Sequence, residues 1–309
     1  MRYRSWLIVP GDSERKLGKS LATGADVVVV DLEATVPLDA KPAARALAAE
    51  WLIAHRRQVL EQSPMARWVR INSLESRQWR DDLLAVLPGA PEGIILPGAA
   101  GPETVREIAA ELYELEQSNH LAAGSIKILP LAGETPRSAL TIASYAESTM
   151  PRLAGLGWSA DSLGTALNAM RHHELKGGWS EPFRFVRAQT LLTAHACGVM
   201  ALEAMHGDAE DVKGLKLAAK AARADGFTGM FAHHPAQVTE INAAFTPSEA
   251  ELEEARKIVY AFEGGENGEV SPIDRRRIDT PKLKLAKQLL GASEQRSSDL
   301  TSMRVLRPA

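Results

Sequence analysis

Polar side chains recur at the ends of short apolar runs in this sequence, and their types point to one kind of chemistry. Pro10-Gly11-Asp12 follows the first run, Asp31 and Glu33 the second, and Arg70 with Asn72 the third. Glu134, Asp161 with Ser162, Glu203 with His206, and His233 with His234 follow later ones. Carboxylates predominate, one arginine stands among them, and the only cysteine of the chain, Cys197, lies outside the set. Carboxylate oxygens without thiolates suit a hard divalent cation such as Mg²⁺. An arginine beside them either stabilises an oxyanion that forms during reaction or grips a substrate carboxylate through paired hydrogen bonds. Metal and arginine together read as enolate chemistry. A salt-bridge network at the rim of the fold is the alternative that these residue types leave open.

Eight apolar runs must position these groups: Trp6–Val9, Val27–Leu32, Trp68–Ile71, Gly93–Leu96, Ile126–Leu131, Leu153–Trp158, Val199–Ala204 and Phe227–Ala232. Most lack strict polar/apolar alternation, which predicts parallel strands covered on both faces. The intervening stretches have helical periodicity; Val105, Ile108, Ala109 and Leu112 fall on one stripe. Eight βα units over about 240 residues suit a (β/α)₈ TIM barrel better than an open doubly wound sheet, whose G-x-G-x-x-G fingerprint is absent. In such a barrel the ends of the strands converge on one mouth, where the active site is expected.

After the eighth run, Thr246-Pro247-Ser248-Glu249 predicts a helix capped by Thr246, with Leu252, Ala255, Val259 and Phe262 as its apolar stripe. Gly264-Gly265 stops it. The expected organisation is therefore a catalytic barrel over residues 1–263, then a linker and C-terminal helical extension over 264–309, with a last helix at Pro281–Leu290 and a polar tail. The chain has 309 residues, 45% of them hydrophobic, enough for a large core. Its 36 Lys+Arg against 39 Asp+Glu leave a formal charge of -3, which gives no electrostatic case for nucleic acid or an anionic membrane as partner. No run approaches the roughly 18 apolar residues of a membrane span. A single cysteine excludes an intramolecular disulfide, so a cytoplasmic, soluble protein is expected.

At these residues the chain resembles the HpcH/HpaI aldolase and citrate lyase β-subunit-like family. The similar segments are Arg4-Ser5-Trp6-Leu7-Ile8-Val9-Pro10-Gly11-Asp12, Asp31-Leu32-Glu33 with Lys41 and Arg45 following, Val69-Arg70-Ile71-Asn72, Leu129-Pro130-Leu131-Ala132-Gly133-Glu134-Thr135, and His234-Pro235-Ala236-Gln237-Val238 leading to Phe245-Thr246-Pro247-Ser248. They run in the family's order across about residues 4–262. The resemblance implies a homotrimeric or homohexameric barrel that cleaves a short 3-hydroxyacyl-CoA bearing a free carboxylate, of malyl-CoA or citramalyl-CoA type, to a 2-keto acid and acetyl-CoA. It also implies Mg²⁺, held by a Glu after strand five and an Asp after strand six. Glu134 matches that Glu, and Arg70 matches the arginine that stabilises charge. Glu33 is a second catalytic candidate; Pro10, Gly11, Asn72 and Ala160 are candidates for contact with substrate. Asp279, in Arg277-Ile278-Asp279-Thr280-Pro281, resembles the acid that a neighbouring subunit supplies in some members; capping the helix at Pro281 is its other reading.

Three positions depart from the family pattern. Asp161-Ser162-Leu163 stands where Glu-Asp-Leu is usual, so Asp161 and Ser162 share the second metal position. Ala34 and Gly98 replace an acidic residue and a lysine. A citrate lyase β subunit, a keto-acid aldolase that needs no CoA, and a divergent non-catalytic barrel therefore stay open as alternatives. Among the histidines, His172 and His173 read as solvated loop residues, and His195 with Cys197 as structural. His234 is expected either to fix the strand-eight loop by hydrogen bonding or to touch substrate, and His206 and His233 to tune the pocket.

Overall fold

The computed structural model describes residues 3–56, 65–174, 178–263 and 281–291. Eight parallel strands close into a barrel in sequence order: β1 (Ser5–Pro10), β2 (Val27–Asp31), β3 (Ala66–Arg70), β4 (Gly93–Ala99), β5 (Lys127–Ala132), β6 (Gly155–Gly157), β7 (Met200–Glu203) and β8 (Gly229–Ala232). Each falls within or against one of the eight expected runs. Closure comes from β8 returning to β1, with Trp6 opposite Phe231 and Leu7 opposite Ala232. Between and after the strands lie α1 (Glu14–Ser20), α2 (Lys41–Ala54), α3 (Trp79–Val86), α4 (Pro102–Ser118), α5 (Pro136–Ala139), α6 (Ala160–Leu167), α7 (Glu181–Cys197), α8 (Val212–Asp225) and α9 (Pro235–Ala244).

The absence of alternation has a direct cause in the packing. Side chains of one parity, among them Trp6, Ile8, Val27, Val29, Trp68, Ile95, Leu129, Leu131 and Phe231, fill the barrel interior. Those of the other parity, including Leu7, Val9, Val28, Val30, Val69, Ile94 and Ile128, belong to the larger core shared with the helices. On α4 the expected stripe is buried at Val105, Ile108 and Leu112. Register then levels the site: Pro10 pairs with Asp31, and Asp31 with Arg70, so the last residues of three neighbouring strands share one height.

The barrel is one compact unit, Tyr3–Phe245; a second begins at Thr246 and includes α10 (Glu249–Glu263) and a helix at 281–291. The cap of α10 differs from expectation. Ser248, not Thr246, starts the helix: its N–H and hydroxyl donate to Glu251 Oε2 at 2.7 and 2.8 Å, and Glu251 N–H donates back to Ser248 Oγ at 3.2 Å. The Ser248–Glu251 spacing completes a reciprocal capping box, whereas Glu249 can form one only with Thr246. Among the described residues, no helix is long and apolar enough to cross a membrane.

Candidate active site

The site grows from the ends of β2 and β3. Asp31 is fully buried, and its carboxylate accepts the N–H of Glu33 at 2.9 Å, the N–H of Thr35 at 2.9 Å and the Thr35 hydroxyl at 2.6 Å. These bonds wrap residues 31–35 into a tight turn that presents Glu33. Across the strand pair, Arg70 Nε donates to Asp31 Oδ1 and Nη2 to Oδ2, both at 2.7 Å, a bidentate fork that fixes the guanidinium plane. Glu33 Oε2 lies 3.6 Å from Arg70 Nε. Lys41, at the start of α2, clamps the same turn through Nζ to the carbonyls of Leu32 at 2.8 Å and Glu33 at 3.1 Å.

Asn72 sits just beyond Arg70, but its amide is occupied by structure. Its Nδ2 donates to Leu32 O at 2.9 Å and to Asp82 Oδ2 at 2.7 Å, while Arg45 Nε holds the other oxygen of Asp82 at 2.7 Å. The resemblance cast Asn72 as a substrate contact; here its N–H donors tie the β2 and β3 ends to α3. Pro10 and Gly11 close the β1 end of the mouth. Gly11 N–H donates to Asp31 O at 2.8 Å, and a Cβ on Gly11 would stand 2.8 Å from that same oxygen, so no larger residue fits.

Glu134 follows β5 and enters the mouth from the other side. It is buried, and Gly98 N–H donates to its Oε2 at 2.5 Å. That amide is aimed by an irregularity in β4, where the register with β5 shifts between Leu96 and Ala99 and Gly98 takes a left-handed φ of 63°. The Ser162 hydroxyl donates to Ser159 Oγ at 2.9 Å and stands close enough to Glu134 to ease the ionisation of its carboxyl. Ser162 lies in the first turn of α6, where Ser159 caps the helix by accepting the Ser162 N–H at 3.2 Å. Asp161 is one residue away on that turn and faces outward: its side chain is 66% exposed, and its Oδ1 lies 3.6 Å from His172 Nδ1. The expectation that Asp161 stands with Glu134 as a metal ligand is thus not met in this arrangement, because helical geometry turns Ser162 inward and Asp161 out. Ala160 is buried at the start of the same helix. Asp279 lies outside the described residues.

The electrostatics divide the carboxylates. Burial pushes Asp31 up, but the Arg70 charge and its two hydrogen bonds outweigh this and hold Asp31 below the usual range. Burial raises Glu134, with only partial relief from the Gly98 bond, the nearby Ser162 hydroxyl and the Arg70 charge. Burial also raises Glu33, again partly offset by Arg70. Two carboxyls that resist ionisation therefore share the mouth with one strongly held cation. Among the described residues, no three His, Cys, Asp or Glu side chains converge as a metal cage. The donors present, the Glu134 carboxylate and the Ser162 hydroxyl, still suit a hard cation of the kind that takes one or two carboxylates and completes its shell with substrate and water.

Arg70 and Ser159 face a narrow chamber walled by Ile8, Ile95, Leu131, Trp158, Met205 and Phe231. Sequence reasoning noted Gly98 as a missing lysine and overlooked its amide; the Pro97-Gly98 pair ending an apolar run was the available signal. It also passed over Trp158 as part of a strand. His172 is half-buried rather than solvated, its ring centroid 4.9 Å from that of Phe183 and its Nδ1 3.6 Å from Asp161 Oδ1, and His234 caps α9 by accepting the Ala236 N–H at 3.3 Å, so it helps fix the strand-eight loop.

Known proteins share this architecture. The chain is 31% identical over 294 residues to the citrate lyase subunit beta-like protein of Mycobacterium tuberculosis, covering 95% of this chain and 97% of that one. It is 28% identical to the L-malyl-CoA/beta-methylmalyl-CoA lyase of Cereibacter sphaeroides, covering 96% of each. The crystal structure of the Mycobacterium tuberculosis protein CitE in complex with magnesium, acetoacetate and coenzyme A superposes with a TM-score of 0.71 at 29% identity, covering 94% of this chain and 97% of that one. The model of the HpcH/HpaI aldolase/citrate lyase family matches residues 4–235, so the chain belongs to that family.

Proposed function

We propose that the protein is a Mg²⁺-dependent carbon–carbon lyase that cleaves a short 3-hydroxyacyl-CoA bearing a free carboxylate, of malyl-CoA or citramalyl-CoA type, to a 2-keto acid and acetyl-CoA. The observation that carries this reading is the convergence of Arg70, locked by Asp31, with the buried Glu134 at one mouth. Glu134 and Ser162 would hold the cation, with substrate oxygens and water completing its shell. A divalent cation held there would supply Lewis acidity toward a substrate hydroxyl and charge neutralisation toward a substrate carboxylate.

The chain's own groups supply the rest. Glu33 accepts the proton of the substrate hydroxyl; burial raises its affinity for protons above that of an ordinary carboxylate, which makes it the stronger base. The O–H electrons form the new carbonyl, the bond to the thioester's α-carbon breaks, and its electron pair stays on that carbon as an enolate. Arg70 stabilises the enolate oxygen: Asp31 takes two of its five N–H groups, leaving Nη1 for substrate. An acid then protonates the carbon, and Asp279 is the candidate by resemblance. The apolar wall excludes water from the enolate until that step. A homotrimer or homohexamer in the cytoplasm completes the proposal, supported by the family resemblance and the single cysteine.

The test follows CoA thioesters by mass spectrometry with malyl-CoA and citramalyl-CoA, with and without a chelator. Formation of acetyl-CoA that stops with the chelator and returns with Mg²⁺ supports the reading. Turnover of free hydroxy acids without CoA would replace it with a keto-acid aldolase. No turnover and no Mg²⁺ binding by calorimetry would leave a non-catalytic barrel.

A further inference from the structure

Trp158 forms one side of the chamber that holds Arg70, and it is anchored from behind. Its indole N–H donates to Glu203 Oε1 at 2.8 Å, and the Ala204 N–H donates to the same oxygen at 3.0 Å. Arg187, on α7, donates from Nε to Glu203 Oε2 at 2.5 Å. Arg187 is itself held: Nη1 lies 2.8 Å from Asp225 Oδ2, and its guanidinium stands 4.7 Å from the Phe227 ring centroid. Trp158 and Glu203 are almost fully buried.

A buried carboxylate is costly even when paired, and an apolar residue would fill the same space at lower cost. Pairing of β7 with its neighbours runs through the backbone and does not require this side chain. Both oxygens of Glu203 are spent on neighbouring groups, one of them the indole that lines the chamber beside Arg70. A tryptophan ring has a broad torsional well about its second side-chain bond, so packing alone specifies its plane less sharply than a hydrogen bond to Nε1 does.

We propose that Glu203, held by Arg187, is a positioning residue that fixes the plane of the Trp158 indole and thereby sets which substituent of the 2-keto acid fits beside Arg70. The selectivity half of this inference rests on the lyase reading; the orientation half stands without it. With the anchor intact the chamber favours the smaller substituent. Without it the indole turns and larger groups enter.

Three full-length variants test the idea: Trp158→Phe, which keeps an aromatic ring but loses the N–H and some bulk; Glu203→Gln, which keeps an acceptor and weakens the Arg187 pairing; and Arg187→Met, which loosens the anchor with the indole intact. In the condensation direction, with acetyl-CoA and Mg²⁺, the ratio of kcat/KM for pyruvate over glyoxylate should rise about tenfold in Trp158→Phe and Arg187→Met, mainly through KM, a span that one methyl group commands in a tight pocket. Glu203→Gln should fall between. Exchange of the Trp158 indole proton, assigned by NMR from its loss in Trp158→Phe, should quicken in Arg187→Met. A lowered Tm with an unchanged substrate ratio would show a merely structural role and overturn the proposal while leaving the lyase reading intact. Should the wild-type protein turn over none of these substrates, the lyase reading fails, and indole exchange decides the rest: faster exchange in Arg187→Met supports positioning, and unchanged exchange overturns it.

Discussion

At the residue scale, the site is a contest between burial and pairing, and Asp31 and Glu134 stand on opposite sides of it. Asp31 is compensated by a bidentate arginine. Replacing Arg70 by lysine keeps the charge but removes the fork, because an ammonium cannot match two carboxylate oxygens and a substrate oxygen in one plane. Arg70→Lys should lower kcat by about 10²-fold, the scale on which one oxyanion donor is felt, and steady-state assays would show it. Glu134 lacks such compensation. Its folded-state pKa is raised, so the neutral form is favoured in the fold and the ionised form weakens it above that pKa. Glu134→Gln should therefore abolish turnover yet raise Tm at pH 7, and the gain should vanish as pH falls and the wild-type carboxyl takes up its proton. Thermal melts across pH 4–8 check the sign.

At the scale of the element, a one-residue rotation decides what the α6 turn offers. In the sequence Ser162 stands where the resemblance places the metal Asp, and Asp161 could serve only through a one-residue shift of the loop; the helical phase set by the Ser159 cap separates the two. That phase was not legible, since a cap shifted by one residue would reverse it. The strands were legible, because a barrel strand buries both faces and leaves an apolar run too long to mistake. Glu134, Arg70 and Asp31 were legible for the same reason, as polar residues where such runs stop. Ser162→Asp should place a second carboxylate beside Glu134 and tighten Mg²⁺ binding about tenfold or more by calorimetry. In β4, Gly98→Ala meets two obstacles: a left-handed φ, which costs about 1–2 kcal/mol without glycine, and a Cβ that would stand 3.3 Å from Ser73 Cβ. Lower stability and weaker Mg²⁺ binding are both expected, read by urea titration and calorimetry.

For the whole molecule, the barrel separates the mouth from the opposite end, where stability can be altered without touching the chemistry. There Arg152 donates to both oxygens of Glu116, at 2.6 and 2.7 Å, beside the start of β5. Burial raises Glu116, but the Arg152 bonds and the Ile126 and Gly124 amides outweigh it, leaving a lowered pKa. That stability is present above the unfolded value and lost as pH falls through the folded one. Glu116→Gln leaves Arg152 buried without its counter-charge, so it should cost about 3 kcal/mol at pH 7. The deficit should shrink in acid, and kcat should stay unchanged; melts and assays on one preparation separate the two.

The β4 irregularity also bears on how the enzyme can be dissected. What strand four lends to Glu134 is a main-chain proton, which every genetically encoded residue except proline also carries. Scanning that strand with ordinary substitutions perturbs its shape and leaves its contribution in place. Only swapping the Gly98 amide for an ester, through chemical synthesis or an expanded code, removes the donor while sparing the bend.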